Sequence, residues 1–579
     1  LGVFKLSNMS VEVTEVLHGP SHWYQAVPVQ LDDGRYVIHW LDAGGVSNFN
    51  IKAQIFDPRT EAVTWVNTGG AKQFGGTKYG DDLTGGVEND TLYGYDGHDI
   101  LRGGNGADVL KGGIGNDLLE GGADADELDG GDGTGDIAVY FANTVNDAVD
   151  VDLQGALDGT GIGTRGMAAG DRLKNIEGLI GTRYGDTLAG DGNSNVLYGA
   201  DIEASGPNDN DHLYGRGGAD GLFGYAGNDI LDGGEGADVL DGGEGRDTAD
   251  YTSSPDAVEI DLSQATVIAR GGDAQGDVLK SIEALVGSRF NDTLTGGAGE
   301  NHLYGGIGND TLIGGVEDSL WGGVGNDRLV NGHVIFEGSL GRNIDLATGT
   351  ATNAEETDTL VNVVYVTGGD GNDTITGVSG TNNVSGINDT LQGGAGFDHF
   401  IASYGNDSID GGADGGEITY FFVSASGVNL DLQHGRATKF NGQQDTLTNI
   451  WHAWGSRADD IITGDDDHGN ILFGLDGHDT IDGGIGNDTL WGGDGGDTLI
   501  GVSTIAGSDV DELHGEQGND SIVGGAEDVL YGGAGDDTLE GGHVVFEGPG
   551  RTINLKTNIS TVTNPQGVTY ETDVLRNVR

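Results

Sequence analysis

From Leu83 to Leu128 a leucine recurs at every ninth position, at Leu83, Leu92, Leu101, Leu110, Leu119 and Leu128. Two residues ahead of each stands an aspartate: Asp81, Asp90, Asp99, Asp108, Asp117 and Asp126. The intervening units read GGVENDTLY, GYDGHDILR, GGNGADVLK, GGIGNDLLE and GGADADELD. The pattern G-G-x-G-x-D followed by x-Leu-x predicts a turn and then a short strand. Glycine permits positive φ and close backbone approach, so main-chain carbonyls can converge inside the turn. In the strand, alternation sends the central leucine to one face and its neighbours to the other. Two units make one coil of a flattened helix, with strands on two sides and turns on two edges. Stacked coils then pile leucine on leucine, and each repeat needs its neighbours to bury its apolar face.

Composition sharpens this picture. Glycine supplies 113 of 579 residues, yet with only 7 prolines and no three-residue period the chain is not collagen-like. The chain has 94 acidic against 26 basic residues, a net charge of −68. Such a chain repels itself when compact, so its fold requires positive charge within it. Nucleic acid carries the wrong sign to be a partner. There is no cysteine, which leaves neither disulfides nor zinc–thiolate crosslinks. No apolar run is long enough for a membrane helix. Stacked turns would instead gather carbonyl and carboxylate oxygens from successive coils, a hard-oxygen set that suits calcium better than magnesium.

Units such as Gly112–Glu120 and Gly483–Trp491 match GGxGxDxUx, with U a large apolar residue, at every position. This is the signature that RTX proteins are known by, and the chain resembles the RTX (hemolysin-type) calcium-binding repeat family over roughly residues 75–579. The resemblance implies an all-β fold, a parallel β-roll or β-solenoid with calcium between adjacent turns, and export by type I secretion. It also implies that each motif aspartate bridges two ions, with carbonyls of the first four turn positions completing the shell. The ligands expected on this basis are Asp81, Asp90, Asp99, Asp108, Asp117, Asp126 and Asp136 in the first array; Asp211, Asp220, Asp229, Asp238 and Asp247 in the second; and Asp292, Asp310, Asp318 and Asp327 in the third. The fourth array supplies Asp373, Asp389, Asp398 and Asp407, and the fifth Asp460, Asp479, Asp488, Asp497, Asp511, Asp520, Asp528 and Asp537. Turn carbonyls are expected from Gly103, Gly104, Gly106, Gly112, Gly113, Gly115, Gly233, Gly234, Gly236, Gly242, Gly243, Gly245, Gly483, Gly484, Gly486, Gly492, Gly493 and Gly495. On the order of 20 ions are expected. Asn195 and Asn301 replace the aspartate and Glu88 replaces a turn glycine, so those turns should bind weakly or not at all.

The arrays are expected at 71–136, 182–248, 288–331, 367–416 and 456–542. β linkers fill 137–181, 249–287, 332–366, 417–455 and, truncated, 543–579. Linkers one and two are copies of each other (GDRLKNIEGLIGT and GDVLKSIEALVGS) and resemble segments between arrays in serralysin-type C-terminal domains. They read as wider coils of the same solenoid, with Ile176 and Ile282 pointing inward. An insertion is expected at Ala200–Pro207. Asp310, Asp318, Asp327 and Phe336 recur 210 residues later as Asp520, Asp528, Asp537 and Phe546, a duplication laid over the nonapeptide. The closing TDVLRNVR matches TDTLVNVV at Thr357–Val364, after which another array follows, so the natural chain is expected to continue past Arg579.

Residues 1–70 differ from the rest and predict a small antiparallel β element that reads as the end of an upstream module. Strands are expected at Ser10–Val16, Tyr24–Leu31, Arg35–Leu41, Asn48–Phe56 and Val63–Val66, with turns at Asp32–Gly34 and Asp57–Arg59.

No catalytic constellation stands out: there is no HExxH and no G-x-S-x-G, and carboxylate pairs are expected throughout so acidic a chain. His98 and His478, beside motif aspartates, read as exposed spacers rather than ligands. Trp451, His452 and Trp454 could stack on sugar but read better as linker packing, and Trp321 and Trp491 end their units on outward positions. The expected function is that of a secreted, extracellular calcium-binding protein of the bacterial cell surface. Its role would be structural or adhesive, as in a surface layer or adhesin, with copies of itself or other surface components as partners. The alternative is the non-catalytic C-terminal region of a secreted protease, lipase, epimerase or toxin. An ice-binding surface would need a regular Thr or Asn ladder, which the mixed strand ends do not provide.

Overall fold

The computed structural model describes backbone and side chains of residues 73–578 except 141–147, 156–159, 201–209, 265, 379–386, 422–426, 441, 502–508 and 546–571, and within 1–72 and 551–571 it describes backbone strands alone. Phe546, the N-terminal turns and all but Ala200 of the expected insertion lie outside the described residues. The chain divides into two compact units, Leu1–Ile260 with Gln264–Leu285, and Asp261–Ser263 with Val286–Arg579.

In the first unit the leucine period becomes two parallel sheets. One pairs Leu83 with Leu101 and Leu101 with Leu119, and the other pairs Leu92 with Leu110 and Leu110 with Leu128. Each coil is therefore two nonapeptides, as the repeat predicts. These leucines are all 0–1% exposed, because each sits between identical residues above and below and faces the opposite sheet. The strands are longer than expected. Ile100–Asn105, Val109–Ile114 and Leu118–Ala123 each run through the two glycines that open the next unit. Gly104 pairs in register with Gly86 and Gly122, so the true turn shrinks to the residues around Gly106 and Asp108.

The second unit repeats this construction. Leu472, Leu490, Leu513 and Leu530 stack in one sheet, and Ile481, Leu499, Ile522 and Leu539 in another. The duplicated segments match in structure: His333–Ile335 pairs parallel with Ser319–Val324, and His543–Val545 pairs parallel with Val529–Tyr531.

The linkers are not wider coils. In linker one, Asp150–Asp152 runs antiparallel to Gly161–Arg165, which runs antiparallel to Arg172–Lys174. The outer two strands pair parallel with roll strands, Arg172–Lys174 with Glu127–Asp132 and Asp150–Asp152 with Thr187–Ala189. Three linkers of the second unit contain the same antiparallel meander, with middle strands at Thr350–Thr352, Arg436–Lys439 and Ile559–Thr563. Two reversals restore the chain direction, so a meander can be inserted without breaking the parallel sense of the sheet. One reversal could not do this. Ile176 and Ile282 are buried, as expected.

Near the N-terminus, Val27–Gln30, Tyr36–Ala43 and Phe49–Phe56 form the expected antiparallel sheet. Thr64–Val66 leaves it and instead pairs parallel with Asp82–Gly86, as the first rung of the roll.

Candidate metal centre

Every aspartate expected to hold metal is buried, none more than 3% exposed. Their two oxygens have separate roles. Oδ1 accepts the backbone N–H of the motif residue one coil earlier: Asp99 Oδ1 from Asp81 at 2.6 Å, Asp108 from Asp90 at 2.6 Å, Asp117 from Asp99 at 2.8 Å and Asp126 from Asp108 at 2.7 Å. The same ladder runs through the second unit, as in Asp479 to Asp460 at 2.7 Å and Asp520 to Asp497 at 2.8 Å. A carboxylate oxygen has two lone pairs, so Oδ1 can hold this amide and still face an ion.

Oδ2 divides the turns into two classes. In the open class it is buried and meets no protein donor: Asp99, Asp108, Asp117, Asp126, Asp136, Asp220, Asp238, Asp247, Asp310, Asp327, Asp373, Asp398, Asp479, Asp488, Asp497, Asp511 and Asp520. In the closed class the turn caps its own carboxylate. Ser288 N–H donates to Asp292 Oδ2 at 2.6 Å and Ser456 N–H to Asp460 Oδ2 at 2.5 Å, with the serine hydroxyls adding a second bond. Thr77 caps Asp81 in this way, and Thr182 caps Asp186. Each of these turns begins G-S/T-K/R. The shortened turns at Asp318 and Asp528 close on Gly315 and Gly525 N–H. Asp389 takes Val378 N–H and the Ser403 hydroxyl.

The open turns are shaped for a cation. A Cβ added at Gly215 would lie 2.5 Å from Asp220 Oδ2 and 2.5 Å from the Gly233 carbonyl oxygen of the next coil. The first turn glycine therefore keeps clear a space lined by a carboxylate and a carbonyl. Added Cβ atoms at Gly103, Gly112, Gly224 and Gly474 would meet the same pair of groups. Those at Gly104, Gly113, Gly234, Gly243 and Gly493 would meet a carbonyl of the preceding coil, and so would those at Gly115, Gly236, Gly245, Gly486 and Gly495. Among the described residues no three His, Cys, Asp or Glu side chains converge. Carbonyls must then supply most of the shell, a donor set of hard oxygens that fits calcium.

Electrostatics agrees. Burial pushes the Asp99 carboxyl up to about 7, against a backbone hydrogen bond that lowers it and with the charges of Asp117 and Asp81 raising it further. Burial likewise raises Asp126 to about 8, Asp108 to about 6, Asp310 to about 7 and Asp511 to about 8. A carboxylate withdrawn from water ionises readily only beside compensating charge, and a bound divalent cation is often the largest charge in such a site.

Several participants escaped the sequence reading. Asp171, Asp277, Asp358 and Asp445, at the start of the linker strands Arg172–Lys174, Val278–Lys280, Thr357–Val361 and Gln444–Thr448, continue the ladder by accepting the N–H of Asp126, Asp238, Asp327 and Asp407, each at 2.9 Å. Their signal was the D-x-L spacing within GDRL, GDVL, TDTL and QDTL. Three meet a buried tyrosine hydroxyl at Oδ2: Tyr140 on Asp171 at 3.2 Å, Tyr251 on Asp277 at 2.9 Å and Tyr420 on Asp445 at 2.8 Å. Glu177 and Glu283 take the ladder bonds from Asp136 and Asp247. Asn195 keeps the ladder through its N–H to Asp220 but spends its own Oδ1 on Asp191 N–H, and it brings no charge. The turn carrying Glu88 keeps Asp90 buried.

His98 and His478 are exposed, yet they are more than spacers. Their Nδ1 atoms accept Asn116 and Gly496 N–H, each at 2.8 Å, from the next coil. Asn210 and Asn228 make the equivalent stitch. Trp451 stacks on His468 at 4.4 Å, as linker packing predicts.

Parallel coils, an aliphatic core and turns lined with buried carboxylates and carbonyls define a calcium-binding β-roll. Comparison with known families agrees: the RTX calcium-binding nonapeptide repeat matches residues 75–137, 206–249, 284–332, 365–418, 466–499 and 505–539. The chain carries RTX calcium-binding nonapeptide repeats across these segments. No curated protein matches the chain.

Proposed function

We propose that this is a secreted, non-catalytic protein of the cell surface, structural or adhesive in role, whose arrays fold when they meet calcium outside the producing cell. The row of buried Oδ2 atoms without protein donors carries this reading. Without cations these carboxylates repel one another, and the chain stays unfolded and competent for export. Extracellular calcium sites of this general kind have dissociation constants of roughly 10⁻⁴–10⁻³ M, so they fill outside the cell and stabilise only the folded state by mass action. The chain's own residues provide the rest: glycines keep the turns open, Oδ1 atoms lock adjacent coils in register, and leucines and isoleucines form the core. The repetition of one device over five arrays supports a scaffold, and an upstream catalytic motif in the full reading frame would favour an accessory region instead. Circular dichroism during calcium titration tests the proposal. A β signal that rises with calcium and falls with EDTA is expected, and a β-rich chain in excess chelator would overturn it.

A further inference from the structure

Among the described residues two cations are buried, Arg342 and Lys439, in a chain whose other charges are overwhelmingly negative. Lys439 lies in the middle strand of the fourth linker, Arg436–Lys439, and is 2% exposed. Its Nζ lies 2.7 Å from the Ser403 carbonyl oxygen, 3.1 Å from the Gly405 carbonyl oxygen, 3.1 Å from Asp407 Oδ2 and 2.7 Å from Asp445 Oδ1. Ser403 and Gly405 hold the second and fourth positions of the turn that ends in Asp407, and Asp445 is the ladder aspartate of the following coil. Two turn carbonyls and two carboxylates from successive coils thus surround one positive charge. At the matching ends of the first and second arrays, Asp126 and Asp238 have Oδ2 atoms with no protein donor. Arg342 offers a contrast. Its guanidinium pairs with Glu356 at 2.5 Å and Asp358 at 3.3 Å, and no turn carbonyl shares in the contact.

We propose that the Lys439 ammonium is a built-in stand-in for calcium, so that the rung joining the turn at Ser403–Asp407 to the strand Gln444–Thr448 closes without metal. The proposal rests on the calcium reading of the other turns. Its consequence is a seed: this rung forms at lower calcium than its neighbours and opens after them, offering both adjoining arrays a folded end to grow from. In a stacked fold, where each coil contacts only its neighbours, growth from an existing coil is easier than a fresh start.

Hydrogen exchange of the full chain across a calcium titration tests it, with peptides covering 402–410 and 444–450 compared with those covering 479–500. In the wild type the first two should become protected at a calcium concentration several-fold lower than the third. In Lys439→Ala, which removes the ammonium and leaves all four oxygens, their midpoint should rise to that of 479–500, and the saturated protein should bind one more calcium ion by elemental analysis. A common midpoint for all three wild-type regions would overturn the proposal, and so would an unchanged midpoint in the variant. If the variant fails to fold at any calcium concentration, the wild-type order still decides. If no region responds to calcium, it is the calcium reading itself that has failed.

Discussion

A motif aspartate carries three tasks in one side chain: it ends a turn, receives an amide from the coil before, and presents an oxygen to the turn interior. Replacing Asp108 by alanine removes all three. The Asp90 amide loses a 2.6 Å bond, and leaving a buried donor unsatisfied costs about 1–3 kcal/mol. Faster hydrogen exchange is expected in Thr91–Ala123, with residues 479–540 unchanged, because each coil supports only its neighbours. The same carboxyls set a pH dependence. In chelator, the folded-state carboxyls of Asp99, Asp310 and Asp479 are raised to about 7, above the ordinary value of 3.8. The folded chain then holds more protons than the unfolded chain between those values. Its stability without metal is therefore greatest below about pH 4 and is lost as pH rises to about 7. Calcium reverses the slope, because the ion needs the ionised form. The calcium midpoint, followed by circular dichroism, should move to higher concentration as pH falls from 8 to 5. A midpoint independent of pH would show that the buried carboxyls are not the ligands.

At the scale of elements, the strands and turns of the arrays were legible from the nine-residue period because a β-roll rung is local: its residues sit next to each other in sequence and stack on copies of themselves. Glycine placement is the sensitive part. Gly113 has φ +120°, and a Cβ there would run into the Tyr95 carbonyl, whereas Gly192 faces open space. Gly113→Ala should cost more than about 1 kcal/mol and Gly192→Ala far less, measured as urea midpoints in saturating calcium. The wide coils expected of linkers one and two give way to antiparallel pairing. Their apolar alternation predicts strands equally well in either direction, and nothing local reveals that Gly161–Arg165 runs antiparallel to both its partners. The tyrosines Tyr140, Tyr251 and Tyr420, which precede three of these excursions, were likewise invisible as partners of the ladder. Tyr251→Phe deprives Asp277 Oδ2 of its 2.9 Å donor inside the core. A loss of about 1–3 kcal/mol is expected, seen in thermal denaturation and confined to the first unit.

On the scale of the whole molecule, each unit is a stack whose stability sums over neighbouring coils, so calcium removal should not act as a single switch. Open turns depend on the ion, while closed turns at Asp292, Asp460, Asp318 and Asp528 supply their own donors. Stepwise EDTA titration followed by hydrogen exchange should therefore give distinct midpoints for different arrays. One shared midpoint would mean that the stack behaves as a single cooperative body. Side-chain stacks reinforce the sheets between turns: Trp454, Phe473, Trp491, His514 and Tyr531 follow one another across the second unit, with Trp491 and His514 centroids 3.8 Å apart. Of these the sequence had singled out only Trp454 and Trp491, because the ladder appears once strands separated by whole coils are brought side by side.

The amino-acid order alone determined the repeat, the two-unit coil, the aliphatic core and the chemistry of the turns, since all of these follow from neighbours along the chain and from charge that must be balanced. Tertiary structure decided which carboxylates a turn satisfies by itself, which linker residues join the ladder, and where a lysine stands among turn oxygens. Those outcomes depend on contacts between residues a coil or a linker apart, and on a reversal of strand direction that leaves no mark on the local pattern.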